Sequence, residues 1–261
     1  MGAATRISTA AGVDALLAVT RPGADLGDEL LSAARGVASS RQLVTTLADS
    51  SIPGAQRAAL ANRVFPTLSA PAQQVLAVLA SGRWSKHDDL IDAIEEVGFR
   101  ALAASRGADR LESELFTVRR AVGSDGRVEL ALGGASSPVQ ARLALVDALL
   151  TDAQPATRSI LRHIVQLPRG RKPVEAIDYA QSVVAAARDQ LVAVVQTAQR
   201  LTAAQSIALA ARLESGYGRK IAVNQVVDPA LLGGVRITIG DDVIDGTVRS
   251  RLDDLRLRIA G

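Results

Sequence analysis

The sequence of 261 residues contains no cysteine and only two histidines, His87 and His163. The missing thiols exclude disulfides, thiolate nucleophiles and thiolate metal sites, and they fit a reducing compartment. The two histidines are too few and too far apart for a metal site unless carboxylates supply the other ligands. Each histidine is therefore predicted to be a solvated or partly packed helix residue.

Aromatic residues are also scarce, at 2% of the chain against 48% hydrophobic residues in total. The cores must therefore consist of Ala, Leu, Val and Ile, a composition that favours closely packed helices. Proteins that read single strands or RNA use aromatic stacking platforms, which this chain lacks. The net charge of +3 comes from interleaved basic and acidic residues, so no nucleic-acid partner is expected. The basic cluster Arg169–Lys172 is interpreted as a solvated loop.

Long apolar runs are absent as well: no stretch approaches the roughly 18 to 20 residues of a membrane-spanning helix. The N-terminus has no basic start followed by an apolar core and a cleavage site, so secretion is not expected. We expect any membrane association to come only through partners.

Motifs for catalysis are missing too. The chain contains no phosphate-binding glycine fingerprint followed by Lys and Ser or Thr, and no G-x-S-x-G nucleophile motif. The densest carboxylates, Asp241, Asp242 and Asp245, lack the spacing of a calcium loop and are interpreted as turn residues. The sequence therefore predicts no enzyme and no catalytic, cofactor-binding or metal site.

An internal repeat organises the first two thirds of the chain. Residues 28–60 align without a gap onto 113–145, an offset of 85, and eleven of the 33 pairs are identical, including Glu29/Glu114, Pro53/Pro138 and Arg57/Arg142. Chance alignment of Ala- and Leu-rich helices is the alternative, but the shared Pro, Arg and Glu positions favour duplication. The period is too long for one solenoid unit, so each copy is interpreted as a whole small bundle.

Helical periodicity supports two tandem bundles of the six-helix type. Ser137 is predicted to be an N-cap, with Pro138 in the first turn of the helix, and Trp84 is interpreted as bundle packing. The predicted domains are an extra helical bundle at 1–105, a second bundle at 106–188 and a small α/β domain at 189–261. Further helices are predicted at 72–80, 86–105, 110–122, 157–166 and 174–188.

The last domain begins with a β-branched run at 191–195, which is typical of a strand. Thr202 and Gln205 form a capping-box pattern that predicts a helix, and Gly216 and Gly218 are stop signals. A strand at 221–227, a hairpin turning at Gly240-Asp241 and a final helix at about 247–259 complete a short sheet with two helices. The overall fold class is mainly α.

The most specific motif covers residues 226–252, with the sequence VVDPALLGGVRITIGDDVIDGTVRSRL. It resembles the C-terminal signature of the delta subunit of the rotary ATP synthase, the family that includes the mitochondrial oligomycin-sensitivity-conferring protein. The similarity extends over roughly residues 105–261. The family has a single bundle before the α/β domain, so this chain carries an extra copy.

The resemblance implies a non-catalytic stator subunit at the cytoplasmic face of the cell membrane. Such a subunit binds N-terminal helices of the alpha subunits and the b-type peripheral stalk, and it resists rotor torque. No fused membrane-anchored stalk helix is present, so a separate soluble subunit is expected. The residues alone leave open a helical scaffold or adaptor unrelated to ATP synthase.

Overall fold

The computed structural model describes residues 2–19, 24–133, 137–188, 190–218, 220–231, 233–239 and 242–247. Within these ranges the chain forms twelve helices and four strands, which confirms a mainly α fold with a small α/β part. Contacts divide the chain into two compact units, residues 1–188 and 189–261. Each unit is described separately below.

Every described element of the first unit is a helix, and two of these helices begin at a serine cap. Ser40 and Ser69 each accept a hydrogen bond from the backbone N–H three residues on, and thereby cap α3 and α5. The predicted cap at Ser137 is off by one residue, because Pro138 precedes the first helical residue. The helices are α1 Ala3–Leu17, α2 Ala24–Ala38, α3 Arg41–Ala48, α4 Gly54–Val64, α5 Ala70–Ser81, α6 Asp89–Ala103, α7 Leu111–Ser124, α8 Gly126–Gly133, α9 Val139–Leu149, α10 Pro155–Gln166 and α11 Pro173–Arg188.

Two hydrophobic clusters fill this unit, and α6 contributes to both. The first cluster takes side chains from α1 to α6, including Trp84, which is 9% exposed and packed as predicted. The second takes side chains from α6 to α11, together with Leu31 of α2. Helix α6 therefore lies between the two clusters: Ile94 packs in the first cluster and Phe99 in the second. The division of this unit at residues 105 and 106 stays a prediction.

The internal repeat is visible in the placement of the helices. Helices α4 and α9 begin at residues 54 and 139 and end at 64 and 149, an offset of 85 at both ends. Helices α5 and α10 show the same offset, and α1 and α6 begin at residues 3 and 89. Helix α6 thus corresponds to α1 while it also ends the first set of six helices. We name α1 to α6 the first bundle and α6 to α11 the second bundle.

Matching hydrogen bonds support this correspondence. Glu29 accepts from the backbone N–H of Ser69 over 3.1 Å, and Glu114 accepts from the backbone N–H of Gln154 over 2.9 Å. The two glutamates are 85 positions apart, and so are Ser69 and Gln154. Each bond connects the second helix of a bundle to the start of its fifth helix. The carboxylates thereby satisfy N–H groups that the helix itself leaves unpaired.

The two copies differ at Arg57 and its counterpart Arg142. Arg57 is 3% exposed, and its guanidinium donates hydrogen bonds to five backbone carbonyls. Arg142 is half-buried, and its Nε atom has no hydrogen-bond partner among the described residues. Near the corresponding place, the second bundle has an apolar cavity of about 20 Å³ lined in part by Leu132 and Val165. The carbonyls that bond Arg57 belong to Leu47, Ile52, Ala80, Ser81 and Gly82.

The second unit contains a four-stranded sheet in the order β2-β1-β3-β4. Its strands are β1 Gln190–Thr197, β2 Lys220–Val227, β3 Val235–Ile239 and β4 Asp242–Asp245, with α12 Ala203–Tyr217 connecting β1 to β2. The β1–β2 pair is parallel, as the helical crossover requires, and the other two pairs are antiparallel. The core of this unit includes buried side chains of β1 and β3, those of Ala193, Val195, Ile237 and Ile239.

Local sequence signals account for the bounds of these elements. Thr202 and Gln205 form the predicted capping box, and Gly218 ends α12 with φ of 65°. Gly234 has φ of 86°, and a Cβ there would collide with the backbone of Gly246. Only a residue without a Cβ allows the two backbones to approach this closely. The turn at Gly240-Asp241 and the helix expected at 247–259 lie outside the described residues, apart from Thr247 at its start, which is not helical.

Candidate functional site

A buried ionic network joins the two bundles. Glu95 of α6 is 2% exposed and His163 of α10 is fully buried. The His163 Nε2 atom lies 3.2 Å from Glu95 Oε1, and Arg35 of α2 lies 3.1 Å from His163 Nδ1 through Nη1. Arg171 donates to the second oxygen of Glu95 over 2.8 Å. Helices α2, α6 and α10 are therefore connected through one imidazole.

The hydrogen-bond partners of His163 determine which ring nitrogen carries the proton. A guanidinium can only donate, so Nδ1 accepts from Arg35 and the proton lies on Nε2, which donates to Glu95. Burial lowers the pKa of His163, although the neighbouring carboxylate partly opposes this effect. Burial also raises the pKa of Glu95, but the hydrogen bonds from His163 and Arg171 prevail and hold it below its ordinary value. The network contains a neutral imidazole and an ionised carboxylate.

The loop between α10 and α11 completes this network. Two predictions, for this loop and for His163, are corrected here. Arg169 donates to Asp92 over 3.0 Å and Arg171 to Glu95, so these arginines are ion-paired to α6 rather than simply solvated. Arg171 also lies 4.3 Å above the ring of Tyr179, a cation–π distance. His163 is wholly buried, although the sequence indicated a solvated or partly packed residue. Its partners are far away in sequence, so no local pattern could show them.

His87, by contrast, is exposed as expected, but it lies in the turn before α6 and not in a helix. It lines a polar cleft of about 610 Å³. The cleft lies between α3, the start of α6 and the loop after α10. Its lining includes three basic side chains and one acidic side chain, those of Arg41, Lys86, Arg169 and Asp88. Val44 and Leu167 contribute apolar side chains to its lining.

The carboxylates of the hairpin serve local structure. Asp245 accepts from Arg236 across the β3–β4 pair and from the backbone N–H of Thr247. These hydrogen bonds, that of Thr247 first, lower the pKa of Asp245 to about 2. Asp242 accepts from the hydroxyl of Tyr217 over 3.3 Å, and Asp241 lies outside the described residues. Among the described residues no group of three potential metal ligands occurs.

Exposed apolar side chains mark the surfaces that could contact partners. In the helical unit, Ile7 of α1 is 72% exposed and Phe116 of α7 is 56% exposed. In the α/β unit, Val243 and Ile244 of the edge strand β4 are 60% and 45% exposed. Contiguous apolar area in water is typical of protein–protein contact surfaces, whereas single exposed apolar side chains occur on any protein surface. In the described part of the chain, no helix is long and apolar enough to cross a membrane.

Comparisons with known proteins find relatives along the whole chain. The family model described as ATP synthase delta (OSCP) subunit matches residues 99–259. The ATP synthase subunit delta of Leifsonia xyli subsp. xyli is 46% identical over all of both chains. The corresponding protein of Nocardia farcinica is 38% identical over 91% of this chain and 90% of its own.

That of Streptomyces griseus subsp. griseus is 36% identical over the full length of both chains. The family model begins within α6, whereas these full-length relatives also cover the first bundle. An unrelated scaffold or adaptor is therefore excluded, because the match covers the helical unit as well as the C-terminal motif. The chain belongs to the ATP synthase delta (OSCP) subunit family.

Proposed function

We propose that this chain, a non-catalytic subunit of the ATP synthase peripheral stalk, tethers the alpha subunits of the catalytic head to the b-type stalk. Full-length similarity to ATP synthase delta subunits, at 46% identity, is the observation that carries this proposal. In this role the protein resists the torque that the rotor exerts on the head. It is held at the cytoplasmic face of the cell membrane through its partners alone.

The helical unit offers a suitable surface for an alpha-subunit helix. Ile7 is 72% exposed on α1, and Ala3, Ala10 and Ala11 are exposed on the same helix. Small side chains permit close approach, and an amphipathic partner helix is bound through apolar positions spaced by three and four residues. We assign the N-terminal helix of an alpha subunit to this face of α1.

The α/β unit offers the surface for the stalk. Strand β4 is at the edge of the sheet, with Val243 and Ile244 both exposed. An exposed apolar edge strand is unfavourable in water and is normally covered. We assign the b-type stalk subunit to this edge. Contacts at both units hold the head to the stalk more firmly than either contact alone, because the second binding event becomes intramolecular.

Calorimetric titration of the cognate alpha-subunit N-terminal peptide into the full chain tests the head contact. We expect saturable binding with a Kd of about 1 μM or tighter, equivalent to about 8 kcal/mol. Ile7→Asp is expected to weaken binding at least tenfold. Leu130→Asp is the matched control, because Leu130 is equally exposed, at 72%, on α8. Absence of heat for the unmodified chain would contradict the proposed function.

A further inference from the structure

The first bundle uses one face of α2 and α6 to hold the second bundle. Leu31 and Phe99 lie on this face, and both are buried in the second hydrophobic cluster, at 1% and 0% exposure. Arg35 and Glu95 flank them and both contact His163 of α10. An amphipathic helix thus covers a surface with an apolar centre and a charged border.

The second bundle repeats this face on α7 and α11, where no helix covers it in the described structure. At the established offset, Phe116 corresponds to Leu31 and Arg120 to Arg35. Phe116 is 56% exposed and Arg120 is exposed as well. Ala185 takes the position of Phe99, at an offset of 86, and is also exposed. The repeat places an equivalent docking face at the far end of the helical unit.

The residues that differ between the two faces indicate that a partner, and not water, covers the face of α7 and α11. The end of a repeat array normally becomes polar where it meets solvent. Glu95 is replaced by Gln181 and Phe99 by the smaller Ala185, as such an end requires. Leu31, however, is replaced by the larger Phe116, which increases the exposed apolar area at the centre of the face. A solvent-facing end gives no reason for that change.

The charges on the face indicate the chemistry of the partner. Glu112 is paired with Arg188, and Asp178 is paired with Arg119. Arg120 has no ion-pair or hydrogen-bond partner among the described residues. Its counterpart Arg35 donates to a hydrogen-bond acceptor on the covering helix. A partner helix therefore needs an apolar stripe to meet Phe116 and an acceptor for Arg120. Arg35 donates to a neutral imidazole, but Arg120 is exposed and unpaired in the described part of the chain, so an acidic side chain would supply both the acceptor and the opposite charge.

We propose that the face of α7 and α11 centred on Phe116 binds an acidic amphipathic helix of another ATP synthase subunit. The mode of binding is that of α10 on the first bundle. This inference rests on the proposed function, because the partner is a member of the same complex. The face is distinct from the face of α1 that carries Ile7, so the helical unit has two helix-binding surfaces.

Photo-cross-linking in the purified, assembled ATP synthase tests the proposal. Phe116 is replaced by p-benzoylphenylalanine, the complex is irradiated, and the products are identified by mass spectrometry. We expect a cross-link to an acidic amphipathic helical segment of another subunit. The same photoreactive residue at position 130, which is exposed on α8, should give at least tenfold less of that product. Cross-links to residues 189–261 of the same chain, to a second copy or to nothing would overturn the proposal.

Charge reversal provides the second measurement. With the photoreactive residue at position 116, Arg120→Glu should lower the cross-link yield at least fivefold, because it places two acidic groups together. Arg127→Glu is the control, since the Arg127 side chain is 93% exposed on α8. Equal yields in both variants would refute the acidic partner.

A photoreactive residue at position 7 separates this proposal from the proposed function. A cross-link from position 7 to an alpha subunit, without one from position 116, would leave the head contact intact and overturn only the second surface. Failure at both positions, together with absence of heat in the peptide titration, would contradict the stator role itself.

Discussion

Arg35 of α2 donates a hydrogen bond to Nδ1 of His163 on α10, although the two residues are 128 positions apart. The same imidazole donates to Glu95 through its other nitrogen. A single neutral side chain therefore links the first bundle to the second, and the link depends on Nδ1 having no proton. Acid must weaken it, because a protonated imidazole cannot accept from a guanidinium.

This proton dependence predicts a loss of stability between pH 7.5 and 5.5. Burial lowers the pKa of His163 in the folded chain, so the unfolded chain binds the proton more readily. The stabilising contribution is present above the ordinary histidine pKa of about 6.5 and is lost below it, with a slope of at most about 1.4 kcal/mol per pH unit. Urea unfolding followed by circular dichroism measures the free energy of unfolding at each pH.

Two variants separate His163 from the other titrating groups. His163→Gln should lower stability at pH 7.5 but flatten the pH dependence, because no imidazole remains at the buried position. His87→Gln should retain the slope, since His87 is exposed. The pKa of Glu95 is below its ordinary value, so its contribution is lost only at more acidic pH. An unchanged slope in His163→Gln would show that another group controls the pH dependence.

Arg57→Met is predicted to destabilise the helical unit by about 3 kcal/mol or more. The substitution removes a charged donor from five carbonyls, and hydrogen bonds to charged groups contribute about 1.5 to 3 kcal/mol each, non-additively. Arg142→Met, at the equivalent position, should cost less than about 1 kcal/mol, because its Nε has no partner there. Similar losses in the two variants, measured by urea unfolding, would contradict this asymmetry.

Gly27→Ala is predicted to disturb the crossing of α2 and α6. A Cβ at Gly27 would lie 2.5 Å from Leu102 Cγ and 3.1 Å from the backbone oxygen of Gly98. Forcing the two helices apart should destabilise by about 1 to 3 kcal/mol. Gly123→Ala is the control, because its Cβ would meet only Val174, at 3.8 Å. Alanine there should be neutral or stabilising by about 0.5 kcal/mol, and equal destabilisation of both variants would disprove the steric explanation.

The sequence predicted those parts of the fold that depend on local patterns. The capping box at Thr202, the β-branched strand β1 and the 85-residue repeat each have their signal within a short window or in a direct self-comparison. The structure places all three as the sequence indicated, except for small shifts at helix ends. Helix ends fray, so their bounds vary by one or two residues.

The parts that the sequence could not predict depend on long-range contacts. Glu95 and His163 are 68 positions apart, and nothing near either residue distinguishes it from a surface residue of an amphipathic helix. The dual role of α6 was hidden because α1 lies outside the aligned segment 28–60, so the repeat in the sequence did not relate α1 to α6. Only the packed structure shows that one helix serves both clusters.

Thr202→Ala is predicted to destabilise the α/β unit by about 1 kcal/mol. The Thr202 hydroxyl accepts from the backbone N–H of Gln205, whose side chain accepts in return from the backbone N–H of Thr202. Thr202→Ser keeps the hydroxyl and should restore most of the loss. Hydrogen exchange of the α12 amides, followed by mass spectrometry, reports on this helix without interference from the helical unit. Unchanged protection in the alanine variant, or equal loss in the serine variant, would rule out the cap as the source of stability.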